Sequence, residues 1–563
     1  AYLPSDHSAI ICSLNIGRPD PVKMEIKTRS YHNFDVDIFR HDILHSSLCS
    51  SPVSDIDLLI NQYESVLSEL LQKHAPLTTR TITCRPHAPW FTEDMRKVKQ
   101  EVRRCERRWC STKLEIHRQI FKEQSHIYHQ LIKQAKCNYH KKQFDGCNSR
   151  QLFQKVNKLS IPKAAKVLPS ETDIPLVERF SSFFADKIKR ITDELHNTPT
   201  SQLSVQIPVS TNFVFNKFSM VSEESVRKII MESSSTSCGL DPIPTWLLKQ
   251  CLPELLPTIT RIINISLKTG YFPQALKHAH ITPLIKKPSL DREILKNYRP
   301  VANLKFLAKT VERACTSQVQ NYLSEHNLRG KMQSAYRSHH STETALLRVY
   351  NDLLLAADKG HEVILILLDY SAAFDTINHQ SLFDRFNHKF GFKDTALSWI
   401  KSYFTNRTQS IINNGSESSV HIPKEGVPQG SVLGPLAFTM YSSPLEDIID
   451  AHCISKMTYA DDTQLYIMLN NDSAGAISKL EACIKDIKTW STTNDLKLND
   501  DKTEVLHISS RFRNINPISS VNINESQIEP VSQARNLGVI LQNNLSMDTH
   551  INNICRSASH ALY

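Results

Sequence analysis

The chain has 563 residues, too many for a single hydrophobic core, so roughly two to four domains are expected. Its 40% hydrophobic and 22% charged residues are ordinary for a globular protein, and no apolar run reaches the roughly 18 residues of a membrane span. The net charge of +10 points to a polyanionic partner, while thirteen scattered cysteines, with no CxxC pair or Cys-Cys-His cluster, argue against a disulfide framework or a structural zinc and suit a reducing compartment.

The start, Ala1-Tyr2-Leu3-Pro4-Ser5-Asp6-His7, is neither a signal peptide nor an initiator methionine, and Ser557 to Tyr563 carries no closing motif. Both ends read as cut from something longer. Alternation from Ala9 to Leu14 fits one strand. Asp6 and His7 before it read either as a surface loop or as an acid/base pair. Residues 54 to 74 carry Ile56, Leu59, Ile60, Tyr63, Val66, Leu67, Leu70 and Leu71 at three/four spacing, an amphipathic helix that Pro76 ends.

A long helical stretch follows Trp90-Phe91. Between Arg96 and Lys142 it holds 14 lysines and arginines against 4 carboxylates, with Trp109, Tyr128, Tyr139 and Phe144 interleaved. Such rows suit a phosphate backbone, or else a solvated linker. Pro162 to Pro169 predicts a break, Leu176 to Ile191 a short helix, and 194 to 212 a polar linker. Ser222-Glu223-Glu224 caps a further helix, and Trp246 to Leu267 reads as helix throughout.

From Ile281 strands and helices alternate. A short strand ends in Lys286-Lys287, and Asn297-Tyr298-Arg299-Pro300 holds Arg299 extended, because proline disfavours helix at the residue before it. Phe306 to Tyr322 and Thr342 to Ala356 read as helices. Val363 to Leu368 is an unbroken apolar run, a strand buried on both faces that delivers Asp369 at its end. An unpaired buried carboxylate costs several kcal/mol, so Asp369 is expected to face a site. Gly426 to Pro435, with three glycines and two prolines, reads as a loop whose backbone approaches a ligand closely.

Tyr459-Ala460-Asp461-Asp462 lies between the apolar arms 454–458 and 465–469 and reads as a hairpin tip. Alone, its adjacent carboxylates fit a solvated turn; with Asp369 they make three hard oxygen donors that a divalent cation would stabilise.

Asp369 with Phe374, then Gln429-Gly430, Tyr459-Ala460-Asp461-Asp462, Leu496 to Glu504, and Asn536-Leu537-Gly538-Val539 resemble, in order, reverse transcriptase motifs A to E. Asn297-Tyr298-Arg299-Pro300 and Gln333-Ser334-Ala335-Tyr336-Arg337 resemble its upstream fingers motifs. With Ser371-Ala372-Ala373-Phe374-Asp375, the wording is similar to the LINE-type (non-LTR) retrotransposon polyproteins of the jockey superfamily, from about residue 220 to the end. The resemblance implies an α+β right-hand polymerase, with palm and fingers, an incomplete thumb and a mostly helical basic N-terminal region.

It implies Asp369, Asp461 and Asp462 as catalytic ligands of two Mg2+ ions, with Mn2+ as an alternative. Phe374 falls at the steric gate, Gln429 and Gly430 line the nucleotide pocket, and Lys286 (or Lys287) with Arg299 meets the triphosphate. Lys502 would protonate pyrophosphate. Ser5-Asp6-His7 resembles the closing motif of an apurinic-type endonuclease, so Asp6 and His7 would be its remnant, without nicking activity.

The implied domains are 1–16 (endonuclease remnant), 17–165 (basic linker), 166–267 (helical extension), 268–541 (reverse transcriptase domain) and 542–563 (start of a thumb). The implied partners are template RNA, DNA primer or target, and dNTPs, with 96–142 binding nucleic acid. The implied setting is intracellular, a cytoplasmic ribonucleoprotein and the nucleus. A catalytically silent nucleic-acid-binding relic is the competing reading.

Overall fold

The computed structural model describes residues 23–83, 88–147, 169, 175–199, 203, 211–287, 289–413, 415–469, 472–510, 518, 520–523 and 526–562. The chain divides into two compact units, one of Ala1–Phe34, Ala75–Ala164 and His560–Tyr563, the other of Asp35–His74 and Ala165–Ser559. Asp6 and His7, and most of the 162–169 break, lie outside the described residues.

In the smaller unit, β1 (Lys23–Arg29) pairs antiparallel with β2 (Leu77–Thr83). Two long helices, Glu93–Thr112 and Glu115–Phe144, pack against each other through a turn in which Lys113 takes the left-handed conformation. Thr92 caps the first by accepting from the Met95 amide, and Glu93 and Asp94 complement its dipole. Trp109 stacks on Phe121 across the turn at 5.6 Å. All fourteen cations of 96–142 are exposed, and no residue of the second helix is buried.

The stretch 17–165 is therefore not one linker. Its helices Val36–His45 and Ile56–His74 belong to the larger unit, because the apolar face of the latter (Leu59, Tyr63, Leu67) needs a partner and finds the helix Leu252–Thr269. Arg40 pairs with Glu254 at 2.8 Å, and the Tyr271 hydroxyl donates to Asp57 at 2.9 Å. The helix expected through 246–267 is split into Thr245–Gln250 and Leu252–Thr269. Pro253 sits in the first turn of the second piece, where its missing N–H has no partner to lose.

The larger unit's strands begin with β3 (His278–Ile285), β4 (Tyr298–Asn303), β5 (Glu362–Leu368), β6 (Tyr370–Ser371), β7 (Thr408–Asn413) and β8 (Ser416–Glu417). They continue with β9 (Ser455–Tyr459), β10 (Asp462–Leu469), β11 (Lys497–Leu498), β12 (Glu504–Ile508), β13 (Val521–Ile523), β14 (Ser526–Ile528), β15 (Gln533–Asn536) and β16 (Val539–Gln542).

The central sheet has the order β12-β5-β10-β9, antiparallel throughout. Val363 and Leu365 join Val349 and Leu353 of the helix Thr342–Asp358 in one core. Ile364 and Ile366, which point the other way, are equally buried. Both edges are covered. The Ser334 amide donates to Thr458 O (3.0 Å) and the Thr458 amide to Met332 O (3.1 Å), outside β9; Val531 and Asn543 bond the backbone of Val505 and Ser509 outside β12.

A second sheet runs β4-β3-β7-β8, with β3 and β7 parallel. Phe180 and Phe184 of the helix Leu176–Asn197 pack on its Ala279, Ile281 and Ile411. The larger unit is thus a mixed helix-and-strand body, with one hydrophobic core around β5 and another between the helix Leu176–Asn197 and the second sheet.

Candidate active site

The site is built where β5 ends and β10 begins. Leu368 is registered opposite Thr463, so the antiparallel ladder brings Asp369 alongside Asp462. The β9–β10 connection is the two-residue tip Ala460-Asp461, with Ala460 at φ 58°. Gln333 grips that tip from both sides: its Oε1 accepts from the Ala460 amide at 2.9 Å and its Nε2 donates to the Ala460 carbonyl at 3.2 Å.

The charge of Asp369 raises the proton affinity of both Asp461 and Asp462. Burial pushes the Asp461 carboxyl up, with Asp369 adding to it and Lys502 opposing. Desolvation in the cleft, then Asp461 and Asp369, push Asp462 up to about 6 although its outer edge meets solvent. Lys502 donates to Asp369 Oδ2 at 2.9 Å, and Asn499 Nδ2 approaches the same oxygen at 3.3 Å. These two donors hold the Asp369 carboxylate on the β11–β12 side, and the oxygens of the three aspartates do not all come within 4.8 Å of one another. Asp369 and Asp462 line one cleft with Lys287 and Lys502, whereas Asp461 borders the adjacent cavity beside Tyr336 and Phe438. The donor set is all carboxylate and mutually repulsive, which fits a hard divalent cation.

The glycine-rich loop approaches protein, not open space. A Cβ on Gly426 would lie 2.6 Å from Asp375 O, and one on Gly430, at φ +124°, would lie 2.4 Å from Ala302 O. The Val427 amide donates to Phe374 O, and the Ala302 amide to Gln429 O at 2.7 Å. The close approach expected for a ligand is thus made to the chain's own backbone. Gln429 Nε2 donates to Asp375 Oδ1 at 2.7 Å, and burial raises the Asp375 carboxyl to about 6 against the influence of Lys187 and Gln429. The Phe374 ring stacks on Phe438 at 4.7 Å and is half-buried.

Cations gather nearby. Lys286 is shifted downward first by burial and then by Lys187, Lys502 and Arg299, with Asp369 pulling it up. Arg299 is exposed opposite Leu284, on the face that Lys286 shares. Lys286 Nζ donates to the Lys296 carbonyl at 2.7 Å, so Lys287 is the lysine that lines the carboxylate cleft.

Sequence reasoning gave no role to Gln333, Asn499, Asp375 or Lys187. The first three stand inside quoted motifs, and that was their only signal; Lys187 had none. It also passed over Glu312, fully buried, whose carboxylate accepts from the Val432 and Leu433 amides and so fixes the helix Leu433–Tyr441 after the glycine loop.

Residues 285–541 match the family model described as reverse transcriptase (RNA-dependent DNA polymerase). The chain is 25% identical over 98% of its length to the RNA-directed DNA polymerase from mobile element jockey of Drosophila melanogaster, and 23% identical over 99% to that of Drosophila funebris. It spans 61% and 62% of those two relatives. It is also 25% identical, over 67% of its length and 40% of the relative's, to a probable RNA-directed DNA polymerase from transposon X-element of D. melanogaster. A solved apo telomerase from Candida tropicalis, truncated from its C-terminal domain, matches with a TM-score of 0.34 at 12% identity, over 54% of this chain and 68% of that one.

Proposed function

We propose, from the match of residues 285–541 to the reverse transcriptase family model, that this chain is the polymerase part of a non-LTR retrotransposon protein, extending a DNA primer on an RNA template. The observation that carries the reading is the pairing of β5 with β10, which sets Asp369 beside the Asp461-Asp462 tip with Lys502 over them.

The central sheet acts as the palm, and β3–β4 with the flanking segments acts as the fingers. Asp369, Asp461 and Asp462 would hold two Mg2+ ions; the chemistry such ions supply is activation of a hydroxyl nucleophile and neutralisation of a phosphoryl leaving group. Lys287, Lys286 and Arg299 receive the triphosphate, and the guanidinium grips phosphate oxygens in pairs. Lys502 holds the proton for the departing pyrophosphate. Phe374, braced on Phe438, excludes a ribose 2′-hydroxyl, and the Gln429-Gly430 backbone forms the pocket wall. The exposed cations of 96–142 hold nucleic acid through its phosphates. Catalysis rests on positioning and electrostatics, with no covalent protein intermediate.

Primer extension on an RNA template with Mg2+ tests this, comparing the chain with Asp461→Ala. Loss of product in the variant is expected. Equal product from both would refute the polymerase reading.

A further inference from the structure

β3 opens His278-Ala279-His280, so two imidazoles leave the same face of one strand. The parallel register places His278 beside Thr408 and His280 beside Ser410 on β7. β7 turns into β8, and Glu417 stands there opposite Ile412. Glu417 Oε1 lies 3.9 Å from His278 Nε2 and 3.7 Å from His280 Nε2. The three ligating atoms all fall within 4.8 Å of one another, and this is the only set of three or more His, Cys, Asp or Glu side chains to do so among the described residues.

The surroundings suit a metal. His278 Nδ1 stands 2.9 Å from Thr408 Oγ1, the kind of outer hydrogen bond that orients a ligating imidazole, and Nε2 lies 3.2 Å from Ser410 Oγ, a contact that an ion at Nε2 would replace. Ser410 Oγ donates to Glu417 Oε1 at 2.6 Å and steadies the carboxylate. Burial lowers the proton affinity of both imidazoles, which favours the neutral form that ligates. Ligands at tetrahedral zinc stand roughly 3.4 Å apart, so the carboxylate-to-imidazole separations of 3.9 and 3.7 Å would each shorten by about half an ångström or less on closing. Two imidazoles and one carboxylate select zinc over magnesium.

We propose that His278, His280 and Glu417 bind one Zn2+ ion that clips β3 across β7 to β8, in a site separate from the aspartates. A fourth position is left to water. The inference does not rest on the polymerase reading. It also explains why the sequence carries no zinc signature: the ligands are not cysteines, and the carboxylate is far from the His-x-His pair along the chain.

The test uses the full chain, stripped with a chelator and titrated with Zn2+ against a chromophoric competitor in excess Mg2+, with Co2+ as an absorbing substitute. One tightly held ion per chain is expected. His280→Ala and Glu417→Gln should each weaken it about tenfold or more, and Asp461→Asn should leave it unchanged. Glu417→Gln alters a half-exposed side chain, and an unchanged circular dichroism spectrum shows that its fold is kept. Absence of a tight ion, or the same affinity in Glu417→Gln as in the parent chain, would overturn the proposal.

Discussion

Gly430→Ala is the sharpest probe of how the glycine loop is held. Gly430 has a φ of +124°, and its added methyl would sit 2.4 Å from the Ala302 carbonyl oxygen. That conformation is nearly restricted to glycine, at a cost of roughly 1–3 kcal/mol for any other residue. The neighbour it meets is backbone of β4, which cannot swing aside as a side-chain tip can. The loop is therefore expected to withdraw, giving up the Ala302 to Gln429 hydrogen bond at 2.7 Å, a loss of roughly 0.5–1.5 kcal/mol. That bond is lost on opening in parent and variant alike and cancels, so the strain of about 2 kcal/mol sets the change, raising the population of the detached loop about thirtyfold. Hydrogen exchange at the Ala302 amide reads that population directly and should accelerate by that factor, while primer extension at limiting dNTP falls. An Ala302 amide exchanging at the parent's rate would mean that the loop is not pinned to β4, and the argument from Gly430 would fail.

Two further outcomes follow from charge. Asp462 is raised from 3.8 to about 6, as is Asp375, so between those values the folded chain holds protons that the unfolded chain releases. Their contribution therefore lowers stability as pH rises through that window. A cation on the aspartates relieves the repulsion, so Mg2+ should raise the unfolding midpoint more above about pH 6 than below about pH 4, and an equal shift at both would contradict the assignment. In the basic helices, replacing Arg103, Arg104, Arg107 and Arg108 by glutamine should reduce the slope of log K against log salt for single-stranded RNA by about 3, measured by fluorescence anisotropy. An unchanged slope would place the RNA elsewhere.

Much of the fold could be read locally. The apolar run before Asp369 is β5, and the arms around Ala460-Asp461 are β9 and β10, because strand burial and turn chemistry are written in consecutive residues. Ser222 caps its helix as its sequence suggests. The break at Cys251 was legible too, in Pro253, but the surrounding apolar periodicity masked it. What stayed hidden is contact between residues far apart. Gln333 reaches the Ala460 tip, Lys502 reaches Asp369, and Glu312 reaches Val432, and no periodicity encodes such meetings. The assignment of residues 36–74 to the larger unit was hidden for the same reason, since an amphipathic helix declares that it needs a partner without saying which one.

The covered edges of the central sheet set how the molecule can be shortened. A strand edge with bare amides and carbonyls recruits the edge of another chain. Here residues 332–334 seal β9, and residues 531 and 543 seal β12. A fragment begun after residue 334, or ended before 531, would keep the aspartates and the strands that bear them yet present an open flank. An open flank of that kind is a template for association with another chain, so a shortened piece has to keep the sheet's flanks as well as its motifs.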